Sequence, residues 1–172
     1  MKLTKAQWDK IIKFSKKHAK KLDPEHDVEH VRRTVRIARY IGNKMNSDMD
    51  VVEAAAWLHD IGYSKGSKDH HKKGAKMAEV FLKKMKLDKE FIKKVVHCIE
   101  KHDYIYRPQR KTEGFSLEAK VVADADAVQC MGPFGVLRCL TNGIKKNKSR
   151  KEALKYVREQ EKKLYEHGLF TV

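Results

Sequence analysis

His59 and Asp60 stand side by side at the end of the most apolar stretch of the chain, Val51 to Ile61. A carboxylate on such a segment is costly to bury unless it pairs with a charge or holds a cation. Its neighbour is the commonest metal-binding side chain. Two further histidines interrupt apolar stripes elsewhere: His30 falls in register with Thr34, Ile37 and Ile41, and His102 with Ile92, Val95 and Ile99. Helical spacing turns both inward. Asp124-Ala125-Asp126 follows the apolar Val121-Val122-Ala123. Any one of these residues could be satisfied by a core hydrogen bond, but a single divalent cation would satisfy several at once. A His/Asp set without thiolates suits Mn, Fe, Co, Ni or Zn in an open catalytic geometry, with Mg also admitted. It suits neither a closed zinc site nor a calcium loop. Asp124 and Asp126 lie about 200° apart around a helix axis. One is therefore expected to be a ligand and the other a supporting or structural carboxylate.

The elements that must carry these residues are helical. Trp8, Ile11, Ile12, Ser15 and Ala19 keep a 3.6-residue spacing up to Asp23-Pro24, and Asp27 can cap a second helix. Val51 to Ile61 is apolar on nearly every face, as expected of a helix in the middle of the protein. Gly62 is expected to close it. Further helices fit 70–86, 88–103, 116–130 and 149–167, with a polar stretch at Tyr63–Asp69 and a loop at Tyr104–Gly114. No strand-type alternation is present, so the predicted class is all-α. Without repeats or a Pro/Ser-rich linker, residues 1–172 read as one domain, its motif-bearing part at about 20–140 and its last helix at about 149–167.

Lys and Arg number 39 against 23 Asp and Glu, a net charge of +16. This favours anionic partners, foremost phosphorylated small molecules. The basic residues (Lys16, Lys17, Lys20, Lys21, Lys83, Lys84, Lys93, Lys94, Lys145, Lys146, Lys148, Arg150 and Lys151) mostly fall on polar helix faces. Without interleaved aromatics or a reading motif, a nucleic-acid partner is not required. No apolar run approaches the roughly 18 residues that span a bilayer, and the first residues open an amphipathic pattern rather than a secretory signal. Cys98, Cys130 and Cys139 form no close pair. They are expected to be buried thiols of a reducing cytoplasm.

The ordered pattern His30, His59-Asp60 and Asp126 resembles the HD superfamily of metal-dependent phosphohydrolases. His26-Asp27-Val-Glu-His30-Val-Arg-Arg33 is similar to the opening helix of that family, and Ala54-Ala-Ala-Trp-Leu-His59-Asp60-Ile-Gly62 to its central helix. His70 before Gly74-Ala75, and Ile99-Glu-Lys-His102, resemble the additional histidines of two-metal members. The stretch from Asp124 to Arg138 is similar to the last motif of small stand-alone bacterial and archaeal HD hydrolases. The resemblance implies an HD-type helical bundle holding one ion through His30, His59, Asp60 and Asp126, with Asp124 in support. His70 and His102 would add a second ion, with His71 competing with His70.

Ile61, Gly62 and Tyr63 stand where guanosine-polyphosphate hydrolases and single-metal nucleoside monophosphatases of this fold carry acidic residues. The segment Tyr104 to Pro108 lacks the Gly-Tyr-Pro of cyclic-dinucleotide phosphodiesterases. The resemblance therefore implies hydrolysis of a phosphate ester or anhydride of a nucleotide, pyrophosphohydrolase-like, by metal-activated water. Arg33, Lys65, Lys68 and Arg138 are the candidate phosphate contacts, and the sequence admits a homodimer. Two other readings remain open at this point: a di-iron oxygenase on the same scaffold, and a basic helical module that binds nucleic acid.

Overall fold

A computed structural model describes the chain except residues 1, 24, 104–113, 146–148 and 172. Pro24, nearly all of the expected 104–114 loop, Lys146 and Lys148 thus lie outside the described residues. Among those described there are eight α-helices and no strand: α1 Lys5–Ala19, α2 Val28–Lys44, α3 Met49–Leu58, α4 His70–Lys84, α5 Lys89–Lys101, α6 Leu117–Ala127, α7 Gly132–Lys145 and α8 Arg150–His167. The fold is all-α. No described helix is long and apolar enough to cross a membrane.

Short polar side chains start these helices. Thr4 and Gln7 form a reciprocal capping box at α1. Asp27 accepts from the His30 amide at 2.9 Å, Asp88 from Phe91 at 2.9 Å and Ser116 from Ala119 at 3.2 Å. α3 is the central element: Val51, Val52, Ala54, Ala55, Ala56 and Leu58 are fully buried, and the helix packs against α1, α2, α5 and α6. The remaining helices pair as α4 with α5 and α7 with α8.

Two expectations need correction. Gly62 does not cap α3, which ends at Leu58; it belongs to a short 3₁₀ turn, Ile61–Lys65. A Cβ on Gly62 would stand 1.9 Å from the His70 carbonyl oxygen and 2.6 Å from the Gly74 nitrogen. The glycine is there so that the start of α4 can press against the turn. Helix α7 was also absent from the expected elements, because Gly132, Pro133, Gly135 and Gly143 punctuate it. Proline is tolerated in the first turn of a helix, and Gly132 supplies the left-handed φ of +68° at its start.

Candidate metal centre

On a continuous helix, His59 and Asp60 would point about 100° apart. They converge because α3 stops before them: His59 keeps helical angles, while Asp60 turns to φ −101°, ψ 5°. The result is a contact of 3.1 Å between His59 Nε2 and Asp60 Oδ2. α2 contributes His30, whose Nε2 lies 3.2 Å from His59 Nε2 and 3.2 Å from Asp60 Oδ2. α6 contributes Asp126, with Oδ1 at 3.2 Å from His30 Nε2 and 3.8 Å from His59 Nε2.

The other carboxylate oxygen of Asp60 faces a second pair. Oδ1 lies 3.5 Å from His102 Nε2 and 3.9 Å from His70 Nε2, and those two nitrogens are 3.2 Å apart. His70 reaches this position as the first residue of α4, behind the Gly62–Gly74 approach. His71 turns aside instead, its Nδ1 3.6 Å from Asp103 Oδ2.

The tautomers follow from what lies behind the rings. His59, His102 and His70 set Nδ1 against the carbonyl oxygens of Ala56 (2.8 Å), Ile99 (2.7 Å) and Ser67 (3.3 Å). A carbonyl can only accept, so Nδ1 donates and the Nε2 lone pair faces inward. Acceptor nitrogens and carboxylate oxygens thus crowd within 3.1–3.9 Å of one another, an arrangement that needs positive charge between them. Donors held about 2.0–2.2 Å from one ion lie roughly 3–3.5 Å from each other. The residues fit a divalent cation at His30, His59, Asp60 and Asp126, and a second at Asp60, His70 and His102.

With protons as the only counter-charge, the cluster titrates abnormally. Burial opposes charging His59, yet the Asp60 and Asp126 carboxylates hold its pKa up to about 9. Burial would raise Asp60 and Asp126, but the surrounding imidazoles keep Asp60 well below the usual carboxylate range and also lower Asp126. His70 is pushed down to about 3, first by burial and then by His102.

The centre opens into a cleft of about 500 Å³ lined by Asp60, His70, His102, Asp126 and Arg138 among others. Arg138 donates from Nη2 to the Glu25 carbonyl at 2.7 Å. Arg33 sits close by: burial and the neighbouring Arg138 lower its pKa, Nε donates to Gln129 at 3.2 Å, and its guanidinium lies 5.4 Å from the Phe134 ring centroid. Lys65 and Lys68 are exposed and do not line this cleft. Asp124 is buried but faces the C-terminal tail, accepting from the Phe170 and Thr171 amides at 3.0 and 2.7 Å.

Several cleft residues escaped sequence reasoning, among them Tyr63, His26, Tyr156 and Asp103. Tyr63 stacks between His26 (ring centroids 3.7 Å apart) and His70 (4.0 Å), and His26 is held by Asp23 at 2.8 Å. Burial and then Asp60 keep the Tyr63 phenol neutral throughout the ordinary pH range. Tyr156 enters from α8. Asp103 had a signal in plain view, since His102-Asp103 repeats the His59-Asp60 dipeptide.

A family model of the HD domain matches residues 27–131, the span that carries all of these ligand candidates. The chain belongs to the HD domain family. It is 33% identical over 115 residues to the Bacillus subtilis (strain 168) protein YpgQ, covering 66% of this chain and 55% of YpgQ. It thus spans about half the length of that curated relative. A crystal structure of a predicted HD superfamily hydrolase from an uncultured Thermotogales bacterium is 25% identical with a TM-score of 0.65, covering 92% of this chain and 87% of that one. A crystal structure of B. subtilis YpgQ in complex with ADP is 28% identical with a TM-score of 0.64, covering 82% of this chain and 67% of that one. Leu22, Asp23, Glu25 and His26 before the matched span, and Arg138 and Tyr156 after it, also line the cleft, so part of its lining is not included in the family match.

Proposed function

We propose that this HD domain hydrolyses a phosphate ester or anhydride of a nucleotide, in the manner of a nucleoside-triphosphate pyrophosphohydrolase. The observation that carries the reading is the carboxylate of Asp60 set between two pairs of inward-facing imidazoles, beside a cleft lined by Arg138. His30, His59, Asp60 and Asp126 would hold one divalent ion, and His70 and His102, sharing Asp60, a second. Mn, Fe, Co, Ni or Zn fits this donor set, and Mg is admitted through its carboxylates. A divalent cation there supplies Lewis acidity that makes water a competent nucleophile at neutral pH and offsets charge on the phosphoryl oxygens.

The chain's own residues do the rest. Carbonyl oxygens behind His59, His70 and His102 fix the ring orientations before substrate arrives. Arg138 at the cleft wall offers forked donors to a phosphate chain, with Arg33 adding positive charge nearby. Water adds to phosphorus and gives up a proton, the bond from phosphorus to the leaving oxygen breaks, and a proton passes to that oxygen. The ADP bound by YpgQ supports a nucleotide as the substrate class.

The test is a stripped and reloaded enzyme. Protein freed of metal and reloaded with each of the six cations should release phosphate or pyrophosphate from a nucleotide panel or from an aryl phosphate. Asp60→Ala should abolish metal binding and turnover while helicity is retained; full activity in that variant would overturn the assignment.

A further inference from the structure

On the outer side of the Ile61–Lys65 turn, away from the cleft, α1 and α4 enclose a separate groove of about 650 Å³. Its floor is apolar: Phe14 and Phe81 stack with centroids 3.9 Å apart, flanked by Met77 and by Val80, which is 48% exposed. Its rim is cationic, formed by Lys65, Lys73, Lys76 and Lys84, and none of the described lining residues is acidic. His18 is in the same groove, bonded to Ser64 at 2.9 Å. Burial first, and then Lys17 and Lys65, hold its pKa below the ordinary value. From Lys73 to Lys84 the groove follows α4 for about 16 Å, at 1.5 Å per residue.

We propose that this groove docks an acidic amphipathic helix of a partner protein, its apolar side chains seated on Phe14, Met77, Val80 and Phe81 and its carboxylates facing the lysine rim. The length suits a helix of three turns, laid in the groove as other helix-binding surfaces take theirs. Charge complementarity selects an anionic occupant, and the apolar floor requires one that also carries hydrocarbon. Nucleic acid meets only the first condition: its backbone offers no apolar side chain, and a rim of lysines without arginine lacks forked donors for phosphate. A lipid surface needs several protruding apolar groups, whereas of these four only Val80 is exposed, Phe14, Met77 and Phe81 being half-buried against the core. The groove is independent of the metal centre and of the activity proposed for it.

The probe is a labelled 16-residue synthetic helix with leucine and phenylalanine at i, i+3, i+4 and i+7 and glutamate at most other positions, followed by fluorescence anisotropy at physiological salt. Lys73→Glu with Lys76→Glu should weaken binding at least tenfold, and Val80→Asp similarly, at unchanged melting temperature. Lys151→Glu with Lys155→Glu on α8, the same change in net charge, should alter it less than twofold. A peptide with serine at its apolar positions should lose at least tenfold. Equal losses from the two lysine pairs, or equal binding of the serine peptide, would reduce the effect to the general field of a +16 protein and overturn the proposal. So would groove-dependent binding to vesicles of acidic phospholipid or to duplex DNA with no binding of the peptide.

Discussion

His59 and His102 address one carboxylate from opposite sides: His59 Nε2 meets Oδ2 of Asp60 at 3.1 Å, and His102 Nε2 meets Oδ1 at 3.5 Å. Asp60 is 4% exposed and cannot serve both neighbours as a solvated anion. Its place between them makes the two halves of the centre separable by substitution. His102→Ala should reduce bound metal from two ions per chain to one, whereas Asp60→Asn should remove both. Loss of a group that merely orients a ligand costs about 10–100-fold in metal affinity, and loss of the shared ligand should cost more. Elemental analysis of dialysed protein reads the stoichiometry directly; an unchanged ratio in His102→Ala would remove the second position.

The raised pKa of His59 gives the metal-free protein a stability that depends on pH. A group whose folded pKa exceeds its unfolded one contributes fully below the unfolded value, here 6.5, and loses that contribution as pH rises through about 9. Asp60 and Asp126 act in the other direction, their contribution failing only in acid as pH falls through their lowered folded values. The melting temperature of chelator-treated protein should therefore decline between pH 6.5 and 9. A cation must displace the His59 proton to bind, so the melting-temperature gap between loaded and metal-free protein should widen over the same interval. Scanning calorimetry in matched buffers checks both, and a gap that narrows would contradict the placement of the proton.

Gly62 admits no side chain. With a Cβ 1.9 Å from the His70 carbonyl oxygen, Gly62→Ala collides with backbone rather than with a flexible tip. Overpacking commonly costs 1–3 kcal/mol, and about 3 kcal/mol is expected here because α4 must move as a unit. The displacement should carry His70 away from His102, so the variant should lose the second ion before the first. Denaturant midpoints and metal content measure the two effects separately.

Much of this was legible in the sequence, and what was missed has physical causes. Periodicity placed His30 and His102 on inward faces because long amphipathic helices carry a strong 3.6-residue signal. Apolarity alone marked α3 as central. The meeting of His59 with Asp60 was not legible, since it depends on the helix ending at Leu58, and an apolar run extending to Ile61 hides that end. Helix α7 was masked by its glycines and Pro133, and with it went the proximity of Arg33 to Phe134. Lys65 was expected near phosphate because it follows the His-Asp pair by only five residues. The 3₁₀ turn places it at the rim of the outer groove instead.

Asp124 and Asp126 occupy the same helix two residues apart, and their faces give opposite expectations for the same chemical change. Asp124 is completely buried and accepts three hydrogen bonds, from the Phe170 amide at 3.0 Å and from the Thr171 amide and hydroxyl at 2.7 Å each. Asp124→Asn forces at least one of these donors against an amide NH₂, leaving a buried polar group unpaired at a cost of about 1–3 kcal/mol. It should loosen the tail, seen as faster amide exchange at Phe170 and Thr171, while metal stoichiometry is unchanged. Asp126→Asn removes one of the crowded anionic oxygens around His30 and His59. The variant should lower the metal-free melting temperature, since that carboxylate supports the protonated His59, and should lose most affinity for the first ion. If instead both variants unfold to the same extent and both retain metal, α6 serves the core alone and Asp126 is not a ligand.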